Sequence, residues 1–317
     1  MTRYILGRLL AAIPVLLIVS LISFSLMQLV PGDPAIVVAG LQATPADVER
    51  VREQLGLNEP FHIQLLTWYG NLLQGDLGTS FLLGRDVLEV TIERLPVSIS
   101  IALYALVLTL AVGILAGVIA ALRQNTWVDQ AVMTIALIGV SLPNFWLGLM
   151  LIVLFAVQLG WLPTGGYVDF RDDFFGWLAA TTLPAVSLAM LQMGLLARIT
   201  RSTMLEVLRQ DYIRTARAKG LPEYRVVGKH ALKNVMIPVV TVIGIVFSLL
   251  LSGSVVIETI FSIPGIGSLL GSAILRRDYP VIQGGLLLVA SMLLLLNLIV
   301  DVLYAWFDPR IRYHDGD

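Results

Sequence analysis

Six long apolar runs dominate this sequence, and none of them contains Asp, Glu, Lys or Arg. A helix needs about 20 apolar residues to cross the hydrocarbon core of a bilayer, because it rises about 1.5 Å per residue. Every run reaches that length, so each can form one membrane-spanning helix. The runs are Leu9–Val30, Leu95–Leu122, Gln130–Gly160, Phe174–Ala197, Asn234–Ile257 and Val281–Val300.

The composition is typical of a membrane protein. Of the 317 residues, 57% are hydrophobic and 14% are charged, and the mean hydropathy is +0.85. We therefore predict an all-α polytopic membrane protein with six transmembrane helices. The net charge of −1 supplies no basic field for nucleic acid. The absence of cysteine excludes thiolate sites, and the three histidines lie far apart, so we expect no metal site.

The first run follows two arginines and superficially resembles a signal peptide. It is too long for the apolar part of one, and no small-residue cleavage site follows it, so we expect a retained helix at 1–30. We then predict an extracytoplasmic segment at 31–94, a core at 95–304 that includes a loop at 198–234, and a tail at 305–317. The predicted spans of the core are about 95–122, 131–159, 176–197, 235–257 and 281–301.

The orientation follows from the distribution of positive charge. Two thirds of the 21 Lys and Arg residues fall in segments that share a side with the N-terminus, and nine of them lie between Arg198 and Lys233. Because cytoplasmic loops carry the excess of Lys and Arg, both termini are predicted to be cytoplasmic. The loop at 198–234 is then cytoplasmic as well.

The sequence of this loop predicts two short amphipathic helices. Leu205, Leu208, Tyr212 and Ala216 recur at helical spacing. Gly220 suits the residue after a helix, where a left-handed conformation closes the last turn, and the following Leu-Pro suits the start of a second helix. Two interpretations remain open from the residues alone. The helices are either a mechanical contact for another protein or a membrane-surface pair that binds anionic lipid through a basic face.

The same loop resembles the cytoplasmic loop of ABC importer permeases, whose pattern is Glu-Ala-Ala, three residues, Gly, and a later Leu-Pro. Gly220 matches the glycine and Ala216 matches the second alanine, whereas Arg214 stands where the glutamate is expected. Leu232-Lys233 stands where Leu-Pro is expected.

Further stretches in order along the chain resemble the dipeptide/oligopeptide/nickel branch of that family. They are Arg3-Tyr4, 29–34 (LVPGDP), 75–78 (GDLG), 94–96 (RLP), 141–146 (SLPNFW), 263–267 (IPGIG), 276–283 (RRDYPVIQ) and 308–312 (DPRIR). The resemblance implies a type I ABC importer transmembrane domain in a bacterial cytoplasmic (inner) membrane. The implied partners are a second homologous permease, two ATP-binding subunits on the 198–234 loop, and an extracytoplasmic solute-binding protein.

On this resemblance the chain itself is expected to have no catalytic role and no cofactor. It contains no G-x-x-x-x-G-K-[ST] motif, so ATP and Mg would be bound by the partner subunits. The residues expected to couple ATP hydrolysis to the spans are Arg214, Thr215, Ala216, Arg217, Ala218, Lys219, Gly220 and Leu221. The ATPases would push on this helix and swing the spans from inward-open to outward-open.

Other candidate residues carry a structural alternative beside the functional one. Ser141, Pro143, Asn144, Gln192 and Asn297 are candidates for the translocation pathway, or else belong to a helix kink and interhelical hydrogen bonds. Pro264, Gly265 and Gly267 form a gate or a tight connector. Arg276, Arg277 and Asp278 contact the binding protein or substrate, or else form a solvated ion-paired patch. Predicted helices at Pro45–Leu55 and Phe61–Leu73 form a docking surface or a cap.

Dipeptides or oligopeptides are the expected cargo, and glutathione, a nickel chelate or an opine is the alternative. A secondary transporter or channel is a more distant possibility, because the central parts of the spans lack the ionisable residues that proton-coupled carriers use. A membrane-embedded enzyme has less support, since Asp76, Glu89, Glu93 and Glu258 form no recognisable catalytic constellation.

Overall fold

The protein is almost entirely helical in the computed structural model, which describes residues 2–29, 33–40 and 42–307. The helices are α1 Thr2–Leu29, α2 Pro34–Ala39, α3 Pro45–Gln54, α4 Phe61–Leu73, α5 Val87–Leu122, α6 Trp127–Ser141, α7 Asn144–Leu151, α8 Phe174–Leu208, α9 Asp211–Ala218, α10 Glu223–Arg225, α11 Leu232–Ile260, α12 Ile266–Arg276 and α13 Tyr279–Phe307. π-helical turns extend α7 over Ile152–Gln158 and join α10 to α11 over Val226–Ala231.

Five helices of this part of the chain are long and apolar enough to cross a membrane, namely α1, α5, α8, α11 and α13. The predicted third span, 131–159, is not one straight helix. It consists of α6 and of α7 with its π-helical extension, and the two parts meet at an angle of 106°. α6 has 15 residues and reaches about 22 Å, which is short of the ~30 Å hydrocarbon core.

The helices predicted between the first two spans are confirmed. α3 begins at Pro45, and Thr44 and Asp47 form a reciprocal capping box there. The Thr44 hydroxyl lowers the pKa of Asp47, because it donates a hydrogen bond to the ionised carboxylate. α4 has the predicted bounds, Phe61–Leu73. α12 was not predicted, since only turn residues were recognised at its start.

The chain divides into two compact units. The first comprises residues 1–96 and 265–317, in which α13 packs along α1 and α12. Its core includes Leu77, Val87, Leu269 and Val281. A Cβ atom at Gly284 would lie 2.9 Å from the Val87 side chain, so this close approach requires glycine.

In the second unit, Val97–Pro264, α8 packs closely against α6 and α11, and glycines of α5 also approach it. A Cβ atom at Gly117 of α5 would lie 2.6 Å from the Ala197 carbonyl oxygen of α8. A Cβ atom at Gly194 of α8 would lie 2.5 Å from the Ala136 carbonyl oxygen of α6. Small residues therefore bring these backbones together, as is common where apolar helices pack in a membrane.

Candidate functional site

Two helices meet at Gly220, as the sequence predicts. α9 ends at Ala218, and Gly220 adopts the left-handed conformation with φ of +74°. The Gly220 N–H donates to the Arg217 carbonyl (2.9 Å), and the Leu221 N–H donates to the Ala216 carbonyl (3.3 Å). These two bonds are the Schellman closure of a helix, so the glycine fixes the direction in which the chain leaves α9.

One face of α9 is buried against the ends of longer helices. Ile213 and Ala216 share an apolar core with Met204 of α8. Val226 of the π-helical turn and Val235 of α11 belong to the same core. The Ala121 side chain at the end of α5 belongs to the same core. α9 is therefore attached by apolar packing to the ends of three membrane-spanning helices.

The helical stripe predicted for this loop is wrong in one position. Tyr212 was expected on the apolar face, but 43% of it is exposed, and Ile213 is buried in its place. The cause is the break between Leu208 and Asp211, which separates α8 from α9 and shifts the register. The Tyr212 hydroxyl instead accepts a hydrogen bond from Asn234 Nδ2 (2.9 Å), which ties α9 to α11.

The opposite face of α9 is exposed and polar. It presents Arg214, Thr215 and Ala218, followed by Lys219. Arg217 forms an ion pair with Glu223 (Nη2 to Oε1, 2.6 Å) across the turn at Gly220. The hydrogen bond from Arg217 lowers the pKa of Glu223, so the pair is charged at neutral pH. The pair braces the turn, and the other side chains of this face remain exposed.

A buried ion pair lies beside this region and had no signal in the sequence. Arg201 of α8 donates from Nε and Nη2 to the two carboxylate oxygens of Asp129 in α6, each at 2.6 Å. Asp129 also accepts from the Asn125 backbone N–H (3.0 Å), with Asn125 in a left-handed conformation. The pair joins the first turn of α6 to the same end of α8 that leads into α9.

A second buried carboxylate lies in the same unit. The Glu258 side chain is fully buried near the end of α11, and Ser98 Oγ of α5 donates to its Oε1 at 2.6 Å. The sequence indicated no partner for this residue. The bond joins the two helices.

Three of the predicted pathway residues lie at the 106° break. Ser141 is the last residue of α6, and its Oγ donates to the Leu137 carbonyl (2.9 Å). Pro143 precedes the first residue of α7, Asn144, in an extended conformation. The break is thus sharper than the proline kink that the sequence suggested.

The other two pathway candidates lie on other helices. Gln192 is buried in α8, within the second unit. Asn297 belongs to α13 and the first unit, and it is exposed. The structure therefore groups Ser141, Pro143 and Asn144 at one break.

The candidate gate residues of the 262–268 segment have different surroundings. Pro264 is exposed in the connector after α11, and Gly265 directly precedes α12. Gly267 lies inside α12 and is buried, so it is not a turn residue. The segment is a short connector followed by an amphipathic helix.

The cluster at 276–278 is not a uniformly solvated patch. Arg276 and Arg277 are exposed, whereas Asp278 is 2% exposed. Asp278 accepts hydrogen bonds from Ser80 Oγ (2.5 Å) and from the Phe81 N–H (3.1 Å). The expectation of a solvated patch is therefore wrong for Asp278, which anchors the 80–82 loop.

Two segments of the sequence match the models of known protein families, and together they cover most of the chain. Residues 113–313 match the family described as the binding-protein-dependent transport system inner membrane component. Residues 1–102 match the N-terminal region of such membrane components. The chain belongs to this family of inner membrane transport components. It is therefore a multi-pass protein of the inner membrane and a permease component rather than an enzyme.

Relatives of this permease match along the whole chain. It is 53% identical to a putative peptide transport system permease protein of Brucella abortus, over 99% of this chain and 100% of the relative. It is 43% identical to the oligopeptide transport system permease protein AppB of Bacillus subtilis, over 99% and 100%. It is 43% identical to the dipeptide transport system permease protein DppB of Alkalihalophilus pseudofirmus, also over 99% and 100%.

The fold is also found in a solved transporter. A chain of the MetNI methionine ABC transporter, in an inward-facing crystal structure, superposes with a TM-score of 0.59 at 17% identity. The match covers 70% of this chain and 97% of the MetNI chain. The predicted all-α fold of a type I ABC importer transmembrane domain is confirmed.

Proposed function

We propose that this permease is one of two homologous membrane subunits of an ATP-driven importer that carries dipeptides or oligopeptides inward. We infer this cargo because its relatives are named as permeases of peptide, dipeptide and oligopeptide transport systems. An extracytoplasmic binding protein would deliver the peptide, and both termini would lie in the cytoplasm. Glutathione, nickel chelate and opine remain alternative cargoes of the same architecture.

The energy for transport would enter through α9. The observation that carries this proposal is the two-sided character of that helix, which buries Ile213 and Ala216 and exposes Arg214, Thr215 and Ala218. Because the interior is close-packed, displacement of the exposed face by an ATPase would move the ends of α5, α8 and α11 together. The chain has no G-x-x-x-x-G-K-[ST] motif to bind the phosphates of ATP, so ATP and Mg would be bound by two partner subunits.

The break at 141–144 is proposed as the pathway element of this subunit. A helix can leave its regular path within a membrane only where protein or a water-filled cavity satisfies its backbone. Ser141 meets part of that need by bonding to Leu137. Gln192 and Asn297 remain pathway candidates, while Pro264, Gly265, Gly267, Arg276 and Arg277 remain candidates for gating or docking.

Affinity purification of the tagged chain in a mild detergent, with mass spectrometry of the co-purifying proteins, tests this proposal. We expect two ATP-binding subunits and a second six-span permease. Reconstituted in liposomes with its binding protein, the complex should import peptide only when ATP is present on the ATPase side. A chain that purifies alone or as a homo-oligomer and still moves solute without ATP would overturn the proposal.

A further inference from the structure

A row of three cations follows the turn at Gly220 and leads into a membrane-spanning helix. Arg225, Lys229 and Lys233 are spaced four residues apart, which is about one helical turn, and all three are exposed. The Arg225 guanidinium lies 5.6 Å from the ring centre of Tyr224, which is itself 69% exposed. The row thus presents three positive charges on one side of α10, the π-helical turn and α11.

These cations differ from the arginines of α9 in having no acidic partner. Arg214 pairs with Asp211, and Arg217 pairs with Glu223. The sequence from 224 to 257 contains no Asp or Glu at all. No salt bridge involves Arg225, Lys229 or Lys233 within the described part of the chain, so their charge is not neutralised locally.

The backbone that carries the row is held in place by the core. Val226, Ala231 and Val235 alternate with the cations along the segment, and each is fully buried. They pack in the same apolar core as Ile213 and Met204. The three charges therefore project from an ordered helical segment rather than from a disordered basic tail.

The position of the row indicates the partner. Lys233 is the second residue of α11 and directly precedes the charge-free apolar run Asn234–Ile257. Lysine side chains extend several ångströms along a helix toward the polar headgroups of lipids. Unpaired cations just outside a span therefore face the layer in which anionic lipids carry their phosphates.

We infer that Arg225, Lys229 and Lys233 form a binding surface for the headgroups of anionic phospholipids. The surface offers separated cationic side chains along the entry to a span, a geometry that fits phosphates arrayed in the plane of a leaflet. It anchors the segment between α9 and α11 at the membrane surface. Force applied to α9 is then resisted by the bilayer and directed into the helix ends.

The test uses the full chain, with its co-purifying partners, in nanodiscs of phosphatidylcholine that contain a small fraction of phosphatidylglycerol. The probe is spin-labelled phosphatidylglycerol. Electron paramagnetic resonance measures the fraction of this lipid whose motion is restricted by contact with the protein. Lys229→Gln/Lys233→Gln removes two charges of the row, and Arg50→Gln/Arg171→Gln removes two exposed charges elsewhere. Lys229→Arg/Lys233→Arg keeps the charge. Because the chain lacks cysteine, a single introduced cysteine can verify the topology of every variant.

We expect the glutamine pair at 229 and 233 to lower the affinity for phosphatidylglycerol by about 25-fold, since each juxtamembrane cation contributes about fivefold. The arginine pair and the control pair should bind as the unmodified chain does. Equal phosphatidylglycerol binding by all variants would overturn the inference. It would also be overturned if inorganic phosphate displaced the lipid completely, or if the glutamine pair lost the ATPase subunits but kept the lipid.

Discussion

Asp129 and Arg201 are joined by two hydrogen bonds of 2.6 Å although they are 72 residues apart in sequence. The Asp129 side chain is 4% exposed and that of Arg201 is 26% exposed. A third bond, from the Asn125 N–H, completes the coordination of the carboxylate. The pair therefore fixes the turn between α5 and α6 to the end of α8.

Removal of one member of this pair should destabilise the protein strongly. In Arg201→Met the Asp129 carboxylate stays buried without its cation, which typically costs about 3–5 kcal/mol. Asp129→Leu/Arg201→Met removes both charges and should recover most of that loss, because an apolar pair needs no compensation. Both variants are heated in detergent, and size-exclusion chromatography measures the fraction of folded protein that remains at each temperature. A single variant as stable as the unmodified chain would show that the pair does not hold these helices together.

Substitution at Gly220 should uncouple ATP hydrolysis from transport without preventing membrane insertion. A Cβ atom built there has no atom within 4 Å, so any effect comes from the backbone conformation and not from a clash. The left-handed conformation costs a residue other than glycine about 1–2 kcal/mol, and Asn tolerates it better than Val does. We expect Gly220→Val to lower the peptide imported per ATP hydrolysed and Gly220→Asn to retain most of it. Normal coupling in Gly220→Val would contradict the assignment of α9.

The sequence was informative where the determinants are local or are imposed by the bilayer. The spans could be located because hydrocarbon demands long runs without charge, and the turn after α9 because Gly220 and Pro222 set the backbone there. The partnership of Asp129 with Arg201 could not be predicted, since nothing local relates two residues so far apart. α12 did carry a signal, as Ile266, Leu269, Leu270 and Ala273 recur at helical spacing and are all buried.

A negative charge on the exposed face of α9 should weaken docking of the ATPases. Ala218→Glu leaves the buried residues Ile213 and Ala216 in place but adds a carboxylate to the proposed contact surface. Disruption near the centre of an interface commonly costs about 2 kcal/mol or more, which is about 30-fold in affinity, so we expect much less ATPase to co-purify. Gln54→Glu, which adds the same charge to an exposed position of α3 outside the 198–234 loop, is the control. Equal recovery of ATPase with both variants would place the contact elsewhere.

We expect Asp278 to hold the 80–82 loop in place rather than to contact solute directly. Its carboxylate accepts from Ser80 and from the backbone amides of Phe81 and Leu82, so Asp278→Ala leaves three donors unsatisfied. Each orphaned buried donor costs about 1–3 kcal/mol, and the two amides should exchange hydrogen at least about fivefold faster. Arg276→Ala, which removes an exposed neighbour, should leave that exchange unchanged. If Asp278→Ala exchanged normally but abolished stimulation by the binding protein, Asp278 would instead act in docking, and its burial here would describe only one state of the transport cycle.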